Sequence, residues 1–323
     1  MKKWNKPIVV ISKCLGFDAC RFNGDKIHDS FIEKLSKYVT FITVCPEVEI
    51  GLGTPRKPIR IVSDGDEYKL IQPATNLDVT KDMLDFSSNF IKSLEEVHGF
   101  ILKNRSPSCA ISDAKIMSGL EKAPTIGKSA GFFGDAVLQK FSHLAIEDEG
   151  RLKNFTIREH FLTKLFTIAR FSEIKKNYVY NDLLAFQTEN KYLLMAYHQM
   201  KQKELGRIVA NVEKKPVEEL YTSYEKVLYE LLSKEPSFQS HINVLQHIFG
   251  YFSNNISSDE KRFFLSLLEQ YRENVVPLSS PLGVLKAWNA RFSNSYLASQ
   301  TYFMPYPEQL IEITDSGKGR NFA

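Results

Sequence analysis

The feature that most constrains this 323-residue chain is a change in the period of its apolar residues near position 150. Upstream, short β-branched or aromatic runs recur at 8–11, 40–44, 59–62 and 99–102, separated by helical patterns at 31–35 and at Met83, Phe86, Phe90, Ile91 and Leu94. Continuous apolar strands alternating with helices predict an α/β N-terminal domain with a mostly parallel sheet covered on both faces. Downstream the period is helical throughout: Phe161, Leu162, Leu165, Phe166, Ala169; then Leu220, Tyr224, Val227, Leu228, Leu231; then Phe263, Leu267, Leu268, Tyr271; then Leu282, Leu285, Trp288, Phe292. These stripes predict an all-α helical-bundle domain. Pro216 suits a first helical turn, and Ser257-Ser258-Asp259-Glu260 reads as a capping box.

The charged stretch 147–151 is the expected linker, which places the domains at 1–147 and 148–323. The tail 315–323, with two glycines and no apolar pattern, is expected to fray. With 43% hydrophobic and 12% aromatic residues the chain can bury two cores, which excludes disorder. No uncharged run approaches the roughly 18 to 20 residues of a membrane helix, and the apolar run after the basic start is too short for a secretory leader. The expectation is a cytoplasmic protein.

Cysteine placement is the second constraint. Cys14, Cys20, Cys45 and Cys109 all fall in the first third, leaving the last 214 positions empty. A large cytoplasmic chain neither needs disulfides nor keeps them oxidised. Cys14, Cys45 and Cys109 each follow a predicted strand, and ligands of open parallel sheets bind at the carboxyl ends of strands. Three distant thiols can therefore converge at one edge, while Cys20 lies deeper in its loop. Spacing alone leaves two readings: unligated buried or reactive cysteines, or ligands. No paired Cys knuckle marks a structural zinc, whereas an iron–sulfur cluster tolerates wide separation.

The residues around the cysteines go further. The stretches 11–24, 45–56 (from Cys45-Pro46-Glu47 to Pro55-Arg56) and 103–109 (ending Ser106-Pro107-Ser108-Cys109) resemble the thiouracil desulfidase family. In the helical part, 191–198, Glu204-Leu205-Gly206-Arg207, 241–252 and Pro305-Tyr306-Pro307 resemble a helical domain often fused to that family. The resemblance implies a [4Fe-4S] cluster held by Cys14, Cys45 and Cys109, with one open iron that takes sulfur from a thiocarbonyl. It also implies Glu47 as the catalytic carboxylate and Ser106 as the catalytic hydroxyl. By themselves, Glu47 reads as an exposed loop carboxylate and Ser106 as a turn hydroxyl. Asn104 and Ala110 depart from the Ser and Gly found in many members. The Ala110 departure matters only where that position needs a positive φ.

The fused form resembles enzymes that convert 4-thiouridine in tRNA to uridine, which makes tRNA the expected partner. Charge distribution fits this. Residues 1–150 carry 20 Lys/Arg and 20 Asp/Glu, whereas 151–215 carry 13 against 6. Lys175, Lys176, Lys191, Lys201, Lys203, Arg207, Lys214 and Lys215 are the expected phosphate contacts. The bland reading of this segment is a solvated basic face. Tyr192 and Tyr197 are weaker candidates for base stacking, and His198, His241 and His247 read as packing or capping residues. Two rival functions stand: a desulfidase for free thiolated pyrimidines whose helical domain makes a homo-oligomer, and a non-catalytic RNA-binding protein with a structural metal. Gly127-Lys128-Ser129 mimics the end of a phosphate loop, but position 122 is Lys where that motif needs Gly.

Overall fold

The computed structural model describes residues 4–65, 67–120 and 123–312. The tail 315–323 expected to fray, and position 122, lie outside the described residues. The elements run β1 (Ile8–Ser12), α1 (Ser30–Leu35), β2 (Thr40–Val44), α2 (Pro46–Glu49), β3 (Arg60–Asp64), β4 (Glu67–Gln72), β5 (Leu77–Asp78) and α3 (Thr80–Ser93). They continue with β6 (Gly99–Leu102), β7 (Ala114–Met117), β8 (Thr125–Ser129), α4 (Phe132–Phe141) and β9 (Ala145–Asp148). Helices follow: α5 (Phe155–Lys175), α6 (Tyr180–Glu189), α7 (Lys191–Tyr197), α8 (Gln199–Ala210), α9 (Val217–Leu231), α10 (Phe238–Gly250), α11 (Ser258–Arg272), α12 (Ser279–Phe292) and α13 (Ser295–Ala298).

The predicted α/β part and helical part are both present. Strands β2, β1, β6 and β9 form a wholly parallel sheet in that order. Val9, Val10 and Ile11 of β1 and Phe100, Ile101 and Leu102 of β6 are fully buried, as continuous apolar strands in a two-face-covered sheet must be. The strand expected at 59–62 does not join them. It is β3, in a second, mixed sheet ordered β5-β4-β3-β7-β8, where only β3 and β7 run parallel. The cause is local: Gly65 adopts a left-handed φ of +64° just after β3, and β4 folds back antiparallel.

Two compact units emerge. The first takes the described residues up to Ala169 and from Tyr306 onward, and the second is Arg170–Pro305. In the first unit, Phe161, Leu162, Leu165 and Phe166 of α5 pack with Val9, Ile11, Ile101 and Leu35 in one core. Burying each such side chain contributes about 1.5–3 kcal/mol, so the start of α5 is held by the sheet. In the second unit, Tyr192, Leu245, Ile248, Phe264, Leu268, Leu285 and Trp288 share a core.

Local signals in the helical part are met. Ser257 and Glu260 form the expected capping box, with Glu260 N donating to Ser257 Oγ at 3.2 Å and Ser257 N to Glu260 Oε2 at 2.7 Å. Pro216 sits one residue before α9. The stretch 147–151, expected as a linker, is the end of β9 and a 3₁₀ turn (Arg151–Lys153). Its charges are satisfied by folding: Arg151 pairs with Glu147 at 2.7 Å, and Glu149 is buried on Lys103. Gly127-Lys128-Ser129 lies within β8, which is no phosphate loop. No helix among the described residues is long and apolar enough to cross a membrane.

Candidate functional site

Three adjacent parallel strands deliver three cysteines to one edge. Cys14 follows β1 by two residues, Cys45 follows β2 directly and precedes α2, and Cys109 lies in the loop after β6. All three line a cavity of about 390 Å³ together with Cys20, Glu47 and Ser106. All four cysteines are buried and free of disulfides. Cys20, which the strand-end rule left aside, is in the same cavity, and the Cys45 thiol donates to its carbonyl oxygen at 3.7 Å. Burial pushes the Cys14 and Cys20 thiols up to about 12, with Cys45 adding to both, and pushes Cys109 up as well. Ligation needs thiolates, so a metal group must displace these protons.

The loop carrying Cys109 is fixed at several points. Ser106 Oγ accepts from the backbone N–H of Ser108 at 3.2 Å and of Cys109 at 3.1 Å, a turn that leaves its own hydroxyl proton available for donation. The start of α4 supplies three more donors: Gly131 N to Ala110 O, Phe132 N to Pro107 O and Gly134 N to Ser108 O. A Cβ at Gly134 would stand 2.1 Å from Ala110 O, so glycine is what permits this approach. Ala110 is not among the residues of positive φ, so the departure from Gly costs no backbone strain there. Arg105, by contrast, has φ +56° and is held by its N–H to Asp113 at 2.6 Å.

Glu47 is not an exposed loop carboxylate. It is buried on α2, and Arg56 donates to its Oε2 from Nε at 2.7 Å and Nη2 at 2.6 Å. Ser108 Oγ donates to its Oε1 at 2.8 Å. The remaining Arg56 nitrogen, Nη1, binds the carbonyls of Cys20 and Gly53, each at 2.9 Å. Lys103, also on the cavity wall, pairs with Glu149, whose other oxygen accepts from Asn104 N at 2.9 Å. Ser108 and Glu149 were not singled out as site partners from sequence. Their contacts span 61 and 45 residues, and no local pattern announces them.

Among the described residues no three of His, Cys, Asp and Glu stand closely enough to hold one metal ion. Three soft thiols lining one cavity have the donor chemistry that an iron–sulfur cluster takes.

The basic residues of the second unit are less free than their count suggests. Lys175 pairs with Glu225 at 2.7 Å, Lys176 with Glu173 at 2.9 Å, Lys215 with Glu213 at 2.7 Å, and Lys201 with Glu230. Lys191 lies 5.6 Å from the Tyr192 ring centroid. Lys203 and Arg207 are exposed on α8 one turn apart, and Lys214 is exposed beyond it, without an ion pair to described residues. Tyr192 is buried, which removes it as a stacking surface. His198 accepts from Lys201 N at the start of α8, and His241 Nδ1 meets Tyr302 OH at 2.9 Å, so both are capping or packing residues as expected.

A parallel sheet that brings buried thiols and a gripped carboxylate to one cavity has the make-up of an enzyme site built on soft metal chemistry. Comparison with known proteins agrees: a 2-thiouracil desulfurase family model matches residues 9–149, and a model for a protein of unknown function, DUF1722, matches residues 191–307. This chain belongs to the 2-thiouracil desulfurase family, enzymes of thiolated pyrimidines, with a DUF1722 region following. It is 28% identical over 158 residues to the uncharacterized protein YbgA of Escherichia coli strain K12, covering 48% of this chain and 93% of YbgA. It is 32% identical over 109 residues to the uncharacterized protein YbbK of Bacillus subtilis strain 168, covering 32% of this chain and 72% of YbbK. Among solved structures it is similar to the [4Fe-4S]-dependent thiouracil desulfidase TudS, at 24% identity and a TM-score of 0.37, covering 46% of this chain and 93% of that one.

Proposed function

We propose that this chain is a tRNA 4-thiouridine desulfidase, which replaces the thiocarbonyl sulfur of 4-thiouridine with oxygen and releases H₂S. The observation that carries the reading is the meeting of Cys14, Cys45 and Cys109 with Glu47 around one cavity. The tRNA assignment is supported by Lys203, Arg207 and Lys214, three of the eight expected phosphate contacts, which are exposed and carry no ion pair to described residues.

A [4Fe-4S] cluster on the three cysteines supplies, when bound, one iron without a protein ligand, a soft Lewis acid that prefers sulfur to oxygen. The chain's own residues handle water and protons. Glu47 Oε1 keeps acceptor capacity beyond the Ser108 bond, so it takes the proton of the water that adds to the ring carbon. Arg56 holds Oε2 and so fixes the direction of the carboxylate. Ser106 lines the cavity with a hydroxyl proton to give to the ring. The balance is one thiocarbonyl and one water giving one carbonyl and one H₂S, with no electrons exchanged.

A second reading, a desulfidase of free thiolated pyrimidines, is favoured by the ion pairs that neutralise Lys175, Lys176, Lys201 and Lys215. One experiment tests both. The anaerobically purified protein is assayed for iron, then incubated with 4-thiouridine-containing tRNA and with free 2-thiouracil. Brown protein with about four iron per chain and loss of thiocarbonyl absorbance on tRNA is the expected result. Turnover of the free base alone selects the second reading, and a colourless zinc protein rejects both.

A further inference from the structure

The wall of the thiol cavity contains a single aromatic ring among the described residues, Phe22, and that ring is left 42% exposed. The other large apolar side chains there, Val44 and Ile59, are buried, and the rest of the wall is sulfur, proline, small polar groups, cations and the Glu47 carboxylate. The part of the ring that folding leaves bare faces the cavity. It is the kind of surface a flat, weakly hydrated ligand covers.

The backbone under the ring is tied down. Phe22 O accepts from Arg56 N at 2.8 Å, and the carbonyl of Cys20, two residues earlier, accepts from Arg56 Nη1 at 2.9 Å. Gly24 N closes a turn on Arg21 O at 2.9 Å. The Arg21 guanidinium lies 5.8 Å from the Phe22 ring centroid, within cation–π range, and it too lines the cavity. The residue that aims Glu47 therefore also anchors the loop that presents the ring.

We infer that Phe22 is a binding residue that stacks on the pyrimidine ring of the substrate and sets its height over the three thiols. This rests on the proposed desulfidase reading. Stacking recognises any base through its π-face, so the ring admits pyrimidines on flatness, and choice of the thio form is left to the sulfur site. The carboxylate and the cysteines are not touched by the substitution.

The test compares Phe22→Ala, Phe22→Leu, Phe22→Tyr and Phe22→Trp in the cluster-loaded protein, with iron content measured on each. Leucine keeps apolar bulk without a π-face. The expected result is KM for the thiopyrimidine up roughly tenfold or more in the Ala and Leu variants, with kcat changed far less. The Tyr and Trp variants should stay near the unaltered KM. Hypochromism of the thiopyrimidine band on binding, seen with the unaltered protein, should vanish in the Leu variant. Robust turnover with unchanged KM in the Ala and Leu variants overturns the stacking role while leaving the desulfidase reading intact. No turnover of any thiopyrimidine by the unaltered protein overturns both.

Discussion

Ser108 Oγ donates a 2.8 Å hydrogen bond to Glu47 Oε1 across 61 residues of sequence, joining the loop that carries Cys109 to the short helix that follows Cys45. Ser108 is fully buried, and its backbone N–H is in turn held by Ser106 Oγ. The carboxylate and two of the three strand-end thiols are thus parts of one hydrogen-bonded unit. Replacing Glu47 with Ala should abolish turnover while iron per chain stays unchanged. Ser108→Ala should lower kcat roughly ten- to hundredfold, in line with the loss of one hydrogen bond to a charged group, about 1.5–3 kcal/mol. Undiminished turnover in Glu47→Ala would remove this residue from the mechanism.

Arg56 is expected to matter for stability as well as chemistry. Its side chain is 4% exposed and that of Glu47 is 12% exposed. Removing one partner of such a pair strands the other charge, at about 3–5 kcal/mol. Urea unfolding should show Arg56→Gln clearly destabilised and the double variant Arg56→Gln/Glu47→Gln less so. If the double variant is as unstable as the single, the stranded charge is not the cause.

Stability should also depend on Asp148. Burial raises its carboxyl to about 6, with Glu149 and Glu147 adding repulsion and the Arg151 N–H opposing it. The folded state then binds more protons than the unfolded one between about pH 4 and 6, so stability falls as pH rises through that window. Asp148→Asn keeps an oxygen for Arg151 N and removes the charge. It should raise the unfolding midpoint at pH 7 and leave it unchanged near pH 4. Equal gains at both pH values would refute the burial account.

The tRNA reading makes a salt-dependent prediction. Lys203→Glu with Arg207→Glu should weaken tRNA binding and flatten the slope of log K against log salt by about two phosphate contacts. Lys201→Gln should do less, since Lys201 already pairs with Glu230. Filter binding at three salt concentrations decides it. An unchanged slope in the α8 double variant would place the polyanion surface elsewhere.

Strands β1, β2 and β6 of the first sheet were legible because they are short β-branched or aromatic runs with a cysteine in the segment after each, whereas β9, Ala145-Ile146-Glu147-Asp148, was not. Strands β7 and β8 were not, since Ala114–Met117 and Thr125–Ser129 are short, mixed in polarity and interrupted by Gly127. The end of β9 read as a linker because Glu147, Asp148 and Glu149 look solvated until Lys103 and Arg151 are seen beside them. Glu47 and Ser106 came from family likeness alone. Their partners Arg56 and Ser108 sat in the same quoted motifs, yet only three-dimensional proximity shows what they hold.

The order of strands β2, β1 and β6 means that no short segment of this chain owns the candidate metal centre. The donors at positions 14, 45 and 109 become neighbours only after residues from both ends of the first hundred have aligned in register. On the proposed ligand set, cofactor loading is therefore a report on completed architecture: a nascent chain stopped before Cys109 carries Cys14, Cys20 and Cys45 but lacks the third proposed donor. Any lesion that slips β6 against β1 should register first as lost iron, before it registers as lost helix.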